Sequence, residues 1–385
     1  MIIAFFSDIA WDSLYQRPQH LATRLARLHP VLWIEPVTLG RPVRFRPVLQ
    51  EPGLYRITLP EFPLNARRPL IRRAAVLASR AACLRAALRA VQRAIVRKAL
   101  RRLQVPGGTV VCLVENFLWM RIARALRAQR VVFDYIDDAF GFTAFPPYAR
   151  AEWLAALRGA DDVTATSTTL VARIREACPR DVVMIRNGAE FARFAVREDA
   201  TRPTDLPDGS APIVGYVGSV YPWLDFPLLD ATIGSLQECQ FVLIGPVHPG
   251  VADQVMALRR HRNFRALGVR PYTEVPSYLH CMHAGIIPFR RTLLTEAVNP
   301  VKLYEYSAAR VPTVATNFSD DLRAFAEYVL IADSADAFAR CIRTAVARRE
   351  DRAFLDRLSG FGLANDWDAR AAQFSRLLHT KDRES

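Results

Sequence analysis

Short apolar runs alternate with helix-spaced amphipathic segments along almost the whole chain. In the first half, residues 2–6, 31–34, 55–59, 109–114, 131–136, 162–165 and 182–186 have the length and apolar continuity of buried strands. Between them, 18–28, 71–103, 120–128, 148–157 and 169–177 carry helical spacing, with Pro18 at an early position where its missing N–H is harmless. A polar, proline-rich stretch at 196–212 then reads as a linker. A second series follows, with strands at 213–217, 240–244, 264–266, 284–287, 313–315 and 328–331. Its helices fall at 227–235, 250–260, 275–282, 303–309, 322–325, 335–348, 351–358 and 367–379. Strands alternating with helices predict parallel sheets joined by crossover helices, here two doubly wound domains in series. Their ligands would gather at the carboxyl ends of the strands.

Composition narrows the class. The 385 residues are 51% hydrophobic and 23% charged, a globular balance with room for two domains. No apolar run approaches the roughly 18 or more residues of a membrane-spanning helix. The opening MIIAFFSDIAWD meets Asp8 and Asp12 at once and reads as a first buried strand, not a signal peptide. The six cysteines are scattered without CxxC spacing, as reduced thiols of a cytosolic protein would be.

The net charge of +14 is concentrated. Between Arg67 and Arg102 stand eleven arginines and one lysine, with no acidic residue. Over a helix spanning 71–103, Leu77, Leu84, Leu88, Val91, Ile95 and Leu103 make one apolar stripe. Arg85, Arg89, Arg93 and Arg97 make a parallel i, i+4 row whose mutual repulsion calls for an external anion. That pattern predicts peripheral contact with an anionic membrane. The bland alternative is a core-packed helix with a soluble outer face, and the lack of interleaved aromatics argues against nucleic acid.

Candidate chemistry centres on 286–316, IIPFRRTLLTEAVNPVKLYEYSAARVPTVAT. A strand passes through a polar loop into a short helix, with Asn299 and Lys302 at the helix start and Glu305 in its first turns. A helix N-terminus and a lysine can hold a diphosphate, and a carboxylate can accept both hydroxyls of a ribose. Read blandly, the same residues are a loop and a surface helix with one ion pair.

The whole string decides between these readings. It resembles the donor segment of GT-B glycosyltransferases, family-4-like enzymes of bacterial polysaccharide and teichuronic acid type, often written PxKxxEYxAxGxPVVAT. The match runs through Pro300, Lys302, Glu305, Tyr306, Ala308, Pro312 and 314–316. Arg310 stands where the family usually has glycine. Ala297 stands where many relatives carry the first Glu of an E-x7-E pair, with Glu296 one place off. Other strings resemble the same family. Gly215, Gly218 and Ser219 open the second domain as its phosphate-facing glycine turn, with Trp223 and Asp225 fixing the loop. IGPV (244–247) ends the next strand, where the family's base often lies. The turn at Asn187–Gly188 precedes the linker, with Arg186 and Glu190 replacing the usual Pro and Asp. WDSLYQRPQHL (11–21) resembles the family's WxxxxQRPxxL.

The resemblance implies two Rossmann-like domains facing across a cleft, with the last helix crossing back to the first domain. Residues 1–198 would bind the acceptor, 212–365 the nucleotide sugar, and 366–385 would form the returning helix. Donor-binding candidates are Glu305 for the ribose, Lys302, Gly218 and Ser219 for the diphosphate, Asn299 for the transferred sugar, with Arg290 and Tyr306 beside them. Arg17 and Trp11 are candidates for phosphate or acceptor contact. Catalytic candidates are Asp137 and Asp138, just past a strand end, as a base or as a helix cap, and His20 as acid, base or structural partner. The implied activity is sugar transfer from a UDP- or GDP-linked donor to a carbohydrate hydroxyl, on a lipid-linked acceptor in surface or exopolysaccharide synthesis. The implied place is the cytoplasm, at the inner face of the plasma membrane. No DxD pair sits as a metal ligand, so metal-independent, cofactor-free activity is expected. A nucleotide-sugar epimerase and a non-catalytic membrane scaffold are the alternatives on the same fold.

Overall fold

The computed structural model describes residues 1–38, 41–63, 68–103, 108–142, 148–196 and 201–379. The chain forms two compact units, Met1–Ile185 with Arg370–Ser385, and Arg186–Ala369.

In the first unit the strands are β1 (Ile2–Phe6), β2 (Val31–Pro36), β3 (Val48–Glu51), β4 (Leu54–Leu59), β5 (Val110–Val114), β6 (Arg130–Tyr135), β7 (Asp162–Ala165) and β8 (Val183–Met184). The helices are α1 (Arg17–Ala26), α2 (Pro69–Arg80), α3 (Ala82–Arg102), α4 (Met120–Ala125), α5 (Ala139–Phe142), α6 (Ala149–Gly159) and α7 (Thr168–Ala177). The sheet order is β3-β4-β2-β1-β5-β6-β7-β8. Every pairing is parallel except β3 with β4. The central strands are aliphatic and aromatic because both faces are covered, and all five residues of β1 are buried. Phe6 pairs in register with Ile34 on one side and Val114 on the other, which makes β1 and β5 the two sides of the topological switch point.

Two features depart from the sequence expectation. Strand β3, absent from it, is an exposed edge whose Val48 and Leu49 face solvent, so no burial pattern marks it. The single helix over 71–103 is two helices, because Ala81 is extended with ψ of 118°. Carbonyls freed at that break are satisfied by Arg85, whose Nη1 donates to Ser79 O at 2.6 Å and Arg80 O at 2.7 Å. An alanine-rich junction with no Gly or Pro hides such a break. The arginine row is consequently not free: Arg85 lies over the Tyr148 ring, Arg89 pairs with Glu152 at 3.4 Å, and Arg97 donates to Ala125 O at 2.7 Å. Contacts inside the protein engage three of the four, of which Arg89 alone is paired with a carboxylate, and Arg93 is left exposed. The predicted apolar stripe is not a core face either, since Leu77, Leu84 and Val91 are exposed while Gln92, Val96 and Ala99 are buried.

In the second unit, α8 (Phe191–Phe194) precedes β9 (Ile213–Val217), α9 (Phe226–Ser235), β10 (Gln240–Ile244), α10 (Ala252–Leu258), β11 (Phe264–Gly268), α11 (Val275–His280) and β12 (Ala284–Ile287). Then come α12 (Val301–Ala308), β13 (Thr313–Thr316), β14 (Val329–Ala332), α13 (Ala335–Ala347) and α14 (Arg352–Ala364), and α15 (Trp367–His379) ends the described chain. The sheet is wholly parallel in the order β11-β10-β9-β12-β13-β14, the 3-2-1-4-5-6 arrangement of a dinucleotide-type fold. Its switch point lies between β9 and β12, which pair at Ala284↔Val214 and Gly285↔Gly215. Of the proline-rich stretch, 197–200 lie outside the described residues.

Candidate functional site

The second unit's switch point holds the motif residues. Strand β9 is followed by Gly218, whose φ of +141° is open to glycine and strained for any other residue. A Cβ there would lie 2.5 Å from Lys302 Nζ, so the lysine occupies the space that glycine vacates. A second glycine makes this approach possible: Gly245, at the end of β10, also has φ of +141°, and its Cβ would meet Gly218 O at 2.1 Å. The Lys302 ammonium stands 5.0 Å from the Tyr216 ring centroid and 5.8 Å from that of Phe289, a cation over two aromatic rings. Burial lowers its pKa and the Glu305 carboxylate opposes that shift. Helix α12 begins after Pro300 with no side chain capping its first turn.

Glu305, half-buried one turn deeper, has its pKa pushed up to about 7 by burial. The charge of Lys302, and after it the nearby Tyr272 hydroxyl, pull it back. Tyr272 carries no motif signal and was not foreseen. Arg290 is exposed at the loop after β12, and its backbone N–H is tied to Trp223 O at 2.7 Å. Ser219 is half-buried and its carbonyl accepts from Tyr216 Oη at 2.8 Å.

Two donor-site candidates stand elsewhere. Tyr306 is fully buried, packs its ring against Gly285, and accepts through Oη from Val217 N at 3.0 Å. It fixes the end of β9 from behind instead of touching a ligand. Asn299 is 2% exposed, and its Oδ1 is taken by Asn187 N at 2.9 Å and Tyr304 Oη at 3.0 Å. Asn299 O accepts from Asn187 Nδ2 at 2.7 Å, and only Nδ2 of Asn299 is left without a partner. The Asn187–Gly188 string is thus an anchor. A Cβ on Gly188 would lie 2.4 Å from Asn365 O, and Ala189 bonds to Asn365 and Trp367. In the loop ahead of α12, Ala297 is fully buried and Glu296 pairs with Arg291 at 3.0 Å. Arg310 ends α12 at φ of 55°, the left-handed position that explains the usual glycine.

The first unit's switch point is lined by carboxylates. Glu115, just past β5, is 6% exposed and accepts from Ser7 Oγ at 3.1 Å, while its Oε1 has no partner. Burial, then the charges of Asp134 and Asp8, raise its pKa well above the carboxylate range. Past β6, Asp137 is half-buried with its pKa raised to about 6, by burial first and then by Asp8. Its neighbour Asp138 is spent. Oδ1 accepts from Phe140 N at 3.2 Å and Tyr135 Oη at 3.3 Å, and Oδ2 pairs with Arg173 at 2.5 Å. The helix-cap reading holds for Asp138, and the free base candidate is Asp137.

The remaining first-unit candidates build the loop after β1. Arg17 is 2% exposed and grips Asp134 through Nε at 2.9 Å and Nη2 at 3.1 Å, with Ile185 O at 3.0 Å. Thr164 Oγ1 donates to the same Asp134 at 2.6 Å. A guanidinium so enclosed has no face for a substrate phosphate. His20, 3% exposed, sits against the Tyr15 ring at 4.6 Å, with Nδ1 3.3 Å from Arg24 Nη1. Trp11 is buried edge-on to Trp33 at 5.0 Å, and its backbone N–H donates to Glu35 Oε2 at 2.6 Å. Gln19 binds Trp11 O, Ser13 Oγ and Leu14 O from one amide. Arg56 ties Asp12 at 2.9 Å to Glu35 at 3.0 Å, two partners that no motif announced. The tryptophan-to-QRP string therefore specifies a loop.

With this geometry in view, residues 211–348 match the profile of the family described as Glycosyl transferases group 1, covering the switch point of the second unit. The chain is similar to TuaH of Bacillus subtilis (strain 168), provisionally described as a teichuronic acid biosynthesis glycosyltransferase, at 24% identity over 226 residues. That match covers 57% of each chain, so this chain spans little more than half of that relative's length. Among solved structures it is similar to sucrose-phosphate synthase from Thermosynechococcus elongatus, with a TM-score of 0.71 at 18% identity over 98% of both chains. It is also similar to an E. coli trehalose-6-phosphate structure bound with UDP-2-fluoro glucose, with a TM-score of 0.70 at 12% identity over 98% and 99%. Anabaena Alr3699/HepE in complex with UDP and glucose gives 0.66 at 13% identity over 98% and 99%. The fold, two parallel-sheet Rossmann-like domains, is that of GT-B glycosyltransferases, as the resemblance implied.

Proposed function

We propose that this protein is a glycosyltransferase that moves a sugar from a nucleoside diphosphate sugar, UDP- or GDP-linked, to a carbohydrate hydroxyl. The observation that carries the reading is the second unit's switch point. There a lysine fills the space left by Gly218, the first turn of α12 is uncapped by side chains, and Glu305 stands one turn deeper. Lys302 and the Gly218–Ser219 turn would hold the diphosphate, Arg290 would add charge at the rim, and Glu305 would accept the ribose hydroxyls.

In the reaction, the bond between the anomeric carbon and the phosphate oxygen breaks and the nucleoside diphosphate leaves with the electron pair. The ammonium and the helix N-terminus stabilise that developing charge. The acceptor oxygen forms the new glycosidic bond and its proton passes to a base. Asp137 is the candidate, with a pKa of about 6 that leaves it ionised at neutral pH. An acceptor glycan carried on a lipid, in surface polysaccharide synthesis, fits the provisional role of the Bacillus subtilis relative.

The test is thermal shift against UDP, GDP, ADP and TDP and their sugars. A ligand at about 100 times its Kd adds about 2.7 kcal/mol of stability. A shift with one nucleotide family, lost in Glu305→Ala and Lys302→Ala, is expected. No shift with any nucleotide at millimolar concentration would overturn the donor site.

A further inference from the structure

We propose that α2 and the outer edge of α3 form a docking surface for an anionic lipid bilayer. Helix α2 buries only Ala75 and Ser79, and its large apolar side chains point away from the core: Leu70 is 78% exposed, Ile71 44% and Leu77 70%. A surface helix of a globular protein turns such residues inward. Helix α3 continues the feature with Leu84 at 48% and Val91 at 53% exposure. Within each helix the seven-residue interval places the pair on one side, two turns apart. Among the described residues nothing covers these side chains.

The chemistry around them selects the occupant. Arg93, Arg97, Lys98, Arg101 and Arg102 line an open groove of about 700 Å³ along α3. Of the four arginines first expected to meet lipid, Arg85, Arg89 and Arg97 are engaged by protein acceptors. The exposed charge free of any carboxylate partner is therefore Arg93, Arg97, Lys98, Arg101 and Arg102 on α3, with Arg72, Arg73 and Arg80 on α2, Arg97 and Arg101 each donating to a neutral carbonyl. No acidic residue lies from Arg67 to Arg102, so nothing on these helices repels an anionic headgroup. A second copy of the chain would bring two such basic rows together, and like charges oppose that. Nucleic acid would find no aromatic side chain on either helix to stack on. Exposed leucines beside uncompensated cations suit an interface with an apolar interior and a negative surface. No helix among the described residues is long and apolar enough to cross a membrane, so this element lies on the bilayer. The inference stands independently of the sugar-transfer reading.

The experiment is sedimentation of the full chain with phosphatidylcholine vesicles, with and without phosphatidylglycerol. Binding to the phosphatidylglycerol vesicles that weakens with salt is expected. Leu70→Ser with Leu77→Ser should lower partitioning about tenfold or more, and Arg93→Glu with Arg101→Glu should do likewise. These side chains are exposed, so far-ultraviolet circular dichroism of the variants should be unchanged. No binding to phosphatidylglycerol vesicles at low salt overturns the proposal. So does binding that survives the leucine substitutions and is displaced by inorganic pyrophosphate, the mark of a phosphate site alone. So does a dimer that the leucine substitutions dissociate while vesicles are ignored.

Discussion

The two units present the same topological feature with opposite chemistry. Each sheet has a switch point where the chain leaves neighbouring parallel strands in opposite directions, β1 and β5 in one and β9 and β12 in the other. In the second unit the loops are thinned by Gly218 and Gly245, and the space admits a lysine over two aromatic rings. In the first unit the loop after β1 is filled by Trp11, Arg17, Gln19 and His20, and the groups lining the switch point are Glu115 and Asp137. Topology supplies the place and the side chains decide what it can hold. A cationic, glycine-lined turn suits a diphosphate. Carboxyl groups of raised proton affinity offer a diphosphate no cation, and suit hydroxyl groups and proton transfer.

The hardest blow to this contrast is Arg17→Ala. It would strand Asp134 in the first unit's core, and losing one partner of a buried pair costs about 3–5 kcal/mol. A large fall in the denaturation midpoint is expected, and a near-neutral result would make Arg17 a functional group after all. A smaller effect is expected from pH at the second switch point. Under the proposed ribose role Glu305 would act as a carboxylate, and burial holds its pKa near 7, so part of the population is protonated at neutrality. Nucleotide affinity should therefore rise as pH climbs through about 7 and fall below it, and Glu305→Gln should flatten that profile in titration calorimetry. Affinity independent of pH in the native protein would remove the ribose role. The smallest effect is at Arg310, where a left-handed backbone is held by a residue with a Cβ. Arg310→Gly relieves strain of about 1 kcal/mol and gives up an exposed ion pair with Asp356 at 2.9 Å, worth a fraction of that. A rise of a few tenths of a kcal/mol in unfolding free energy is expected, and a loss would mean that the ion pair outweighs the strain.

Much of the fold was legible. Aliphatic runs such as 2–6 and 240–244 are buried strands at their predicted bounds, because apolar continuity flanked by turns is a local property. The edge strand β3 was not, because an exposed strand has no burial pattern to read. At the site, Lys302, Glu305 and Gly218 stand together as their strings suggested. Asn299, Tyr306, Arg17 and Trp11 share those strings yet serve as internal supports. A motif marks residues that travel together, and those that build a loop travel with those that use it.

The sequence by itself determined the two parallel sheets, the glycine turn and the concentration of positive charge over 67–102, since periodicity, glycine and charge act through near neighbours in the chain. Only the tertiary structure decided which polar groups remain free. Asp138 is consumed by Arg173 and a helix cap while Asp137 is not, and Arg85 and Arg89 are satisfied while Leu70 and Leu77 are left in water. Hydrogen bonds and burial are settled by partners distant in sequence, and composition carries no record of who those partners are.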